Sequence, residues 1–349
     1  MARRGKTSTE DEQRFEAFWF ENLEGLRDDI LMRRYKPSRS KTFVTHTPVD
    51  REIFAAPFRD RITHHLLYAI TMPWWDNQFI YDSYSCRVGK GTDFGVQRMQ
   101  KFMRQASRNC TRKAYIIKCD ISGYFMSMNR EELYKRAVGG LERQFPDHGW
   151  RYELCKYAWH EVIFDNPVDG VRRVGPMSNW EKLPKNKSLF NQPDGVGIVI
   201  GNLTSQLLSN ILLNEFDWYM KRILKLIWYG RYVDDFYFIV PAKDLKRALK
   251  LLKKEIPDKL AEVGLKLHPK KIYIQEVSKG CPYLGKMVKP FVLLPGERFK
   301  RNAKQAFRDF VNGHGEYETI VSYLGMGQNM ATRKYFDKIF DQLGQNYRL

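Results

Sequence analysis

Residues 227–240 read IWYGRYVDDFYFIV. Two apolar runs rich in aromatic and β-branched residues flank a pair of aspartates, which predicts two adjacent strands meeting at a charged turn. Tight turns favour Asp, so an ordinary hairpin accounts for the pair by itself. A two-residue type I′ turn, however, wants Asn-Gly or Asp-Gly. Asp234-Asp235, set between Val233 and Phe236, makes a weak turn and a good platform for carboxylates. Upstream, KAYIIKCDI (113–121) is another apolar, β-branched run, and Asp120 lies at its end. A carboxylate capping a buried strand costs free energy unless it is exposed or faces a cation. Three carboxylates on neighbouring strand ends suit two Mg²⁺ ions, which prefer oxygen ligands and keep positions open for substrate phosphates. Two ions about 3.5–4 Å apart stabilise both the attacking and the leaving oxygen of a phosphoryl transfer.

Charge and composition point the same way. The 349 residues carry a formal charge of +19, with 43% hydrophobic and 14% aromatic side chains. That is enough apolar material for a large core and two or three subdomains. Residues 1–30 hold 5 basic and 8 acidic side chains, whereas residues 241–349 hold 22 and 11. A basic, aromatic-rich chain suggests a nucleic-acid partner, against the plain alternative of a generally basic protein. No apolar run approaches the length of a membrane span, and MARRGKTSTEDEQ has no apolar stretch of the kind a secretory signal needs. Five cysteines without a C-x-x-C pair argue against a zinc site or disulfide framework and suit a reducing compartment. The expectation is a cytoplasmic protein with no membrane partner.

The order of elements is mixed. Helices are expected over 10–35, 58–70, 130–164, 203–224, 242–263 and most of 298–349, with a Gly-punctuated loop opening into a helix over 84–105. A hairpin is expected over 41–57 with Pro48-Val49-Asp50 at its turn, and strands over 265–275 and 281–294. Residues 165–195, with four prolines and three glycines, read as a long loop or insertion. Ile198-Val199-Ile200 reads either as a buried strand that stops at Gly201 or as a wall where the glycine lets a substrate approach the backbone. The pattern is α+β.

YVDD together with the upstream DISGYF (120–125) resembles the catalytic signature of reverse transcriptases, with IGNLTSQ (200–206) between them. The resemblance runs over roughly residues 40–295. REIFAAPFRDRITHHLL (51–67) looks like the fingers motif. DSYSCRVGKGT (82–92) is similar to the segment that follows it in group II intron-like enzymes, and LHPKKIYIQ and YLGKMVKP look like the last palm motifs. IGNLTSQ and W-x-x-L-P-x-x-K-S-L-F (180–190) look most like the diversity-generating retroelement branch; bacterial defence reverse transcriptases share parts of these motifs. The resemblance implies a right-hand polymerase fold: an N-terminal helical extension (1–40), fingers with part of the palm (41–112), a palm with an antiparallel sheet and packed helices (113–290, with the insertion 165–195) and a short basic helical thumb (291–349).

The resemblance also implies roles. Asp120 and Asp234 match the metal ligands, Asp235 the third carboxylate, and the Ile121 carbonyl would complete a metal shell of two Mg²⁺ ions, for which Mn²⁺ is a substitute. Tyr124 matches the aromatic beneath the sugar; by itself it reads as a core aromatic beside Phe125. Arg51 matches the arginine that grips the triphosphate, as a bidentate guanidinium suits; the family's lysine shortly before it is replaced here by Val49 and Asp50. Lys271 matches the proton donor to the leaving pyrophosphate, with Lys270 its neighbour. Ile200, Gly201 and Gln206 line the nascent base-pair pocket. Many reverse transcriptases carry a hydrogen-bonding glutamine at the position of Ile200, which cannot donate such a bond, and this implies an error-prone enzyme. Tyr283-Leu284-Gly285 resembles the primer grip, and Cys86 to Gly91 would contact template backbone or stand as a solvated loop. His64 and His65 read as helix residues that pack or face solvent.

The implied activity is RNA-directed DNA polymerisation from dNTPs on an RNA template and DNA primer, in a bacterial or phage-encoded protein working with a structured non-coding RNA and a small accessory protein. Two other readings share these residues: antiphage defence by synthesis of DNA from a non-coding RNA, and an RNA-binding maturase-like scaffold without chemistry. Three intact carboxylates favour the enzyme.

Overall fold

A computed structural model describes residues 2–3, 9–47 and 49–342 of the chain. Its helices are α1 (Glu10–Ala17), α2 (Trp19–Leu31), α3 (Phe58–Gln78), α4 (Thr92–Ala106), α5 (Arg130–Gln144), α6 (Trp150–Phe164), α7 (Ser178–Glu181), α8 (Leu203–Trp218), α9 (Leu245–Lys253), α10 (Glu255–Ala261), α11 (Glu297–Val311), α12 (Tyr317–Gly327) and α13 (Arg333–Gln342). Its strands are β1 (Lys41–Thr45), β2 (Arg51–Ala55), β3 (Ala114–Asp120), β4 (Arg172–Arg173), β5 (Tyr229–Tyr232), β6 (Asp235–Pro241), β7 (Tyr273–Glu276), β8 (Cys281–Tyr283), β9 (Lys286–Val288) and β10 (Leu293–Pro295). None of these helices is long and apolar enough to cross a membrane.

The chain forms two compact units, each discontinuous in sequence. The first takes Met1–Tyr81, Ile121–Met220 and Lys254–His268; the second takes Asp82–Asp120, Lys221–Lys253 and Pro269–Leu349.

The second unit is built on an antiparallel sheet in the order β5-β6-β3-β7. Successive strand residues point to opposite faces, and Ile116 and Ile117 are both fully buried. The sheet is therefore covered on both sides, which is why β3 and β6 read as unbroken apolar runs instead of alternating ones. On one face α4 contributes Val96, Met99, Phe102 and Met103 to a core with Ile116, Tyr237 and Ile239. Gly230 is required here: a Cβ on it would lie 2.1 Å from the Tyr84 hydroxyl, which meets the Tyr237 hydroxyl at 3.0 Å. A smaller sheet, β10-β9-β8, follows. The helices α11, α12 and α13 close their own core around Ala303, Phe307, Ile320, Phe336, Ile339 and Phe340.

The first unit pairs β1 with β2 as the expected hairpin, from Lys41↔Ala55 to Thr45↔Arg51, and adds β4 parallel to β1. The hairpin packs Val44 against Trp180 and Leu183, and Phe54 against Met126 and Leu189; α3, α5, α6 and α8 pack against one another, with buried faces that include Leu67, Trp75, Leu133, Leu141, Trp159, Leu207 and Leu212.

Several elements differ from the sequence expectation. The helix over 10–35 breaks at Phe18, where φ is −130° and ψ 48°. Helix 242–263 is interrupted at Lys254. Helix 203–224 gives way after Trp218 to one π-helical turn, Tyr219–Ile223. The strand over 265–275 shrinks to β7, because Pro269 has no N–H to give a ladder. Residues 165–195 are a chain of short turns, with β4 and α7 among them. Ile198-Val199-Ile200 forms no strand; the β-branched run is extended without ladder neighbours. Pro48, placed at the hairpin turn, and residues 343–349 of the last expected helix lie outside the described residues.

Candidate active site

The register of β3 against β6 sets Asp120 opposite Asp235, the last pair of the ladder. On the other side of β6, Asp235 faces Tyr232. Asp235 thus begins a strand, and Val233 and Asp234 alone make the connection. Val233 has φ +56°, a left-handed conformation that is a genuine outlier for a β-branched side chain. Strain of this kind costs about 1–3 kcal/mol and persists only where the surroundings over-determine it.

Those surroundings are specific. Arg231 is fully buried, and its Nη1 donates to the Val233 carbonyl at 2.9 Å. The Val233 N–H donates to Ser85 Oγ at 3.1 Å. Arg231 Nη2 reaches Ser83 Oγ at 3.4 Å, and the Arg231 backbone pairs with Asp82 and Tyr84. Asp82 is itself buried, held by Arg98 at 2.7 Å and Lys221 at 2.5 Å. The segment after the fingers motif is therefore, in its first half, a buried brace beneath the YVDD turn. Arg87, expected against template backbone, is 8% exposed and donates to the Ser83 carbonyl, whereas Val88 is exposed. Arg231 and Ser85 are functional candidates that sequence reasoning missed; a charged residue inside an apolar strand was the available signal for the first.

Burial, then repulsion from Asp120 and Asp235, pushes the Asp234 carboxyl up to about 6. Burial also raises Asp235, opposed by Lys118 at 3.9 Å. Lys271 Nζ sits 3.1 and 3.0 Å from the two oxygens of Asp120, so the expected proton donor is paired with an expected metal ligand. Three hard oxygen donors that repel one another fit a divalent cation. They are not a finished cage: among the described residues no three His, Cys, Asp or Glu side chains converge on a metal position. An ion on Asp120 would have to take the place of Lys271.

The nucleotide-pocket candidates belong to the first unit. Ile121 is buried and bridged to Leu267. Tyr124, on a 3₁₀ turn after Gly123, is 3% exposed, and its hydroxyl donates to the Ser209 carbonyl of α8 at 2.7 Å. Arg51, at the end of β2, is exposed with no side-chain partner among the described residues. The Phe54 N–H donates to the Ile200 carbonyl at 3.0 Å. Gly201 has φ +132°, and a Cβ on it would lie 2.6 Å from the Phe54 carbonyl. The close approach that demands this glycine is made by the backbone of β2. Gln206 lies in the first turn of α8, half-buried. In the second unit, Leu284 and Gly285 form the left-handed turn between β8 and β9, at φ +46° and +81°. His64 is buried against Thr204 Oγ1 at 3.0 Å, and burial pushes it down to about 4, a packing role.

A third residue missed from sequence is Glu52. It is fully buried beside Arg51 and accepts from Trp180 Nε1 at 2.9 Å, Ser188 Oγ at 3.0 Å and the Leu189 N–H at 2.7 Å. Trp180, Ser188 and Leu189 are the anchors of the WEKLPKNKSLF motif. A glutamate at an inward position of an alternating strand was the signal.

Known proteins with a similar chain or fold sharpen this reading. Over 299 residues the chain is 23% identical to Protein YkfC of Escherichia coli (strain K12), covering 75% of this chain and 70% of that protein. The apo telomerase of Candida tropicalis aligns with a TM-score of 0.52 at 12% identity, over 95% of this chain and 65% of that one. The telomerase from Candida tropicalis with a fragment of telomeric RNA gives 0.49 at 13%, over 93% and 59%. The chain thus spans less than two thirds of these telomerase chains, and likeness at such identity concerns the fold alone: a polymerase fold of mixed helix and sheet. Residues 51–288, a stretch that takes in Asp120, Asp234, Asp235 and Lys271, match the family described as reverse transcriptase (RNA-dependent DNA polymerase), and the chain belongs to that family.

Proposed function

We propose that this protein is an RNA-directed DNA polymerase that extends a DNA primer on an RNA template. The observation that carries the reading is the register that sets Asp120 opposite Asp235, with Asp234 on the strained turn beside them. Asp120 and Asp234, with the Ile121 carbonyl and Asp235 in support, would hold two Mg²⁺ ions (Mn²⁺ as a substitute). When bound, those ions supply charge stabilisation to the attacking and leaving oxygens. Lys271, once released from Asp120, would give a proton to the departing pyrophosphate. Arg51 grips the triphosphate.

The finer reading is an error-prone enzyme of the diversity-generating type. It would be bacterial or phage-encoded, cytoplasmic, and served by a structured non-coding RNA and a small accessory protein. Ile200 supports it: an apolar side chain stands where a hydrogen-bonding one would discriminate between nucleotides. Primer extension on defined RNA templates with Mg²⁺ and each dNTP, with the products sequenced, tests both levels. Asp234→Ala with Asp235→Ala is expected to abolish incorporation while RNA binding persists; surviving incorporation would sink the catalytic assignment. Products of the parent protein should carry misincorporations concentrated opposite template adenines, and a faithful copy would remove the finer reading.

A further inference from the structure

The strap Trp180–Phe190 alternates anchors with cations. Trp180, Leu183, Ser188 and Leu189 are buried; Lys182, Lys185 and Lys187 between them are exposed, with no ion-pair partner among the described residues. Glu52 fixes the strap by its three accepted hydrogen bonds, and Trp180 and Leu183 pack with Val44 and Phe190. The lysines therefore stand on an ordered backbone tied to Glu52, the residue that follows Arg51 in β2. The strap also reaches Gly123: a Cβ on that residue would lie 3.4 Å from the Asn186 carbonyl, between Lys185 and Lys187. Gly123 is three residues along the chain from Asp120 and directly precedes Tyr124. Meanwhile the hairpin has no lysine before Arg51; Val49 stands there with Asp50, which is tied to His46 at 2.8 Å. One guanidinium is then left facing a triphosphate of several negative charges, and Lys is an effective phosphate binder as a point charge.

We propose that Lys185 and Lys187 bind the triphosphate of the incoming nucleotide together with Arg51, and that Glu52 is the positioning residue that holds their strap for this contact. The inference rests on the polymerase reading and names which cations of this chain serve it.

The test is steady-state extension by the full chain on one RNA template, comparing the parent with the double variant Lys185→Ala, Lys187→Ala. The dNTP KM should rise about tenfold, with the loss falling on KM and not kcat. Inorganic tripolyphosphate should inhibit the variant about tenfold less well, and Lys185→Arg with Lys187→Arg should restore both values. An unchanged dNTP KM overturns the proposal. So does a weaker RNA Kd with a shallower salt dependence at unchanged dNTP KM, which assigns the strap to the template backbone. A parent protein inert in extension counts against the polymerase reading instead; calorimetric binding of Mg²⁺-tripolyphosphate to the parent and the double variant then decides the strap by itself, with equal affinities overturning it.

Discussion

Glu52 and Asp234 are carboxylates that burial pushes in the same direction, and the fold serves them in opposite ways. Glu52 meets three protein donors within 3.0 Å, on two segments brought to it from the insertion. Asp234 has two like charges for neighbours, and the residue before it is strained. The first is a finished structural joint. The second gathers like charges, an arrangement that fits a divalent cation. Burial alone therefore does not mark a candidate functional acid; what sets Asp234 apart from Glu52 is the like charge gathered around it.

The contrast breaks most visibly in stability, and with opposite signs. Asp234 has its carboxyl raised from 3.8 to about 6 in the folded protein. An acid raised on folding costs stability where it is ionised. The cost is absent below its unfolded pKa, grows across the window between the two values and is complete above about 6. Asp234→Asn in EDTA should therefore raise the unfolding free energy at pH 8 by up to about 3 kcal/mol, with the gain vanishing near pH 4. Thermal melts at the two pH values check it; an unchanged or lower Tm at pH 8 would show that the turn does not store this repulsion. Glu52→Gln should do the reverse. One oxygen becomes an amide donor facing Trp180 Nε1, Ser188 Oγ or the Leu189 N–H, and about 1–3 kcal/mol is lost. A neutral result in urea titration would erase the distinction between the two acids. The smallest expected effect concerns the brace: Arg231→Lys removes the fork that reaches Val233 and should lower kcat about tenfold, or about 1.4 kcal/mol, at constant dNTP KM. Counting active sites by burst amplitude separates the cases, because a merely structural role lowers the number of sites and leaves kcat per site alone.

The carboxylates were legible because each sits on or beside a run whose strand character is local: Asp120 ends AYIIKCD, and Asp234 and Asp235 interrupt YGRYVDDFYF. The hairpin and the long helices were legible for the same reason. The brace and the joint were not, since their chemistry is defined by distant partners. Val233 meets Ser85 across 148 residues of sequence, and Trp180 meets Glu52 across 128. Ile198-Val199-Ile200 misled in the other direction: β-branched residues favour strands, but a strand exists only where a neighbour offers a ladder. Here that offer amounts to two isolated bonds, from Phe54 to Ile200 and from Ile198 to Phe125. Tyr124 shows the limit of a motif, which locates an aromatic without telling that its hydroxyl is already committed to Ser209.

The bond between Phe54 and Ile200 joins main chain to main chain, and the glycine after it secures the approach with no side chain at all. The anchor is therefore blind to what residue 200 carries. A substitution at residue 200 changes the side chain there while leaving the attachment of this segment to β2 intact.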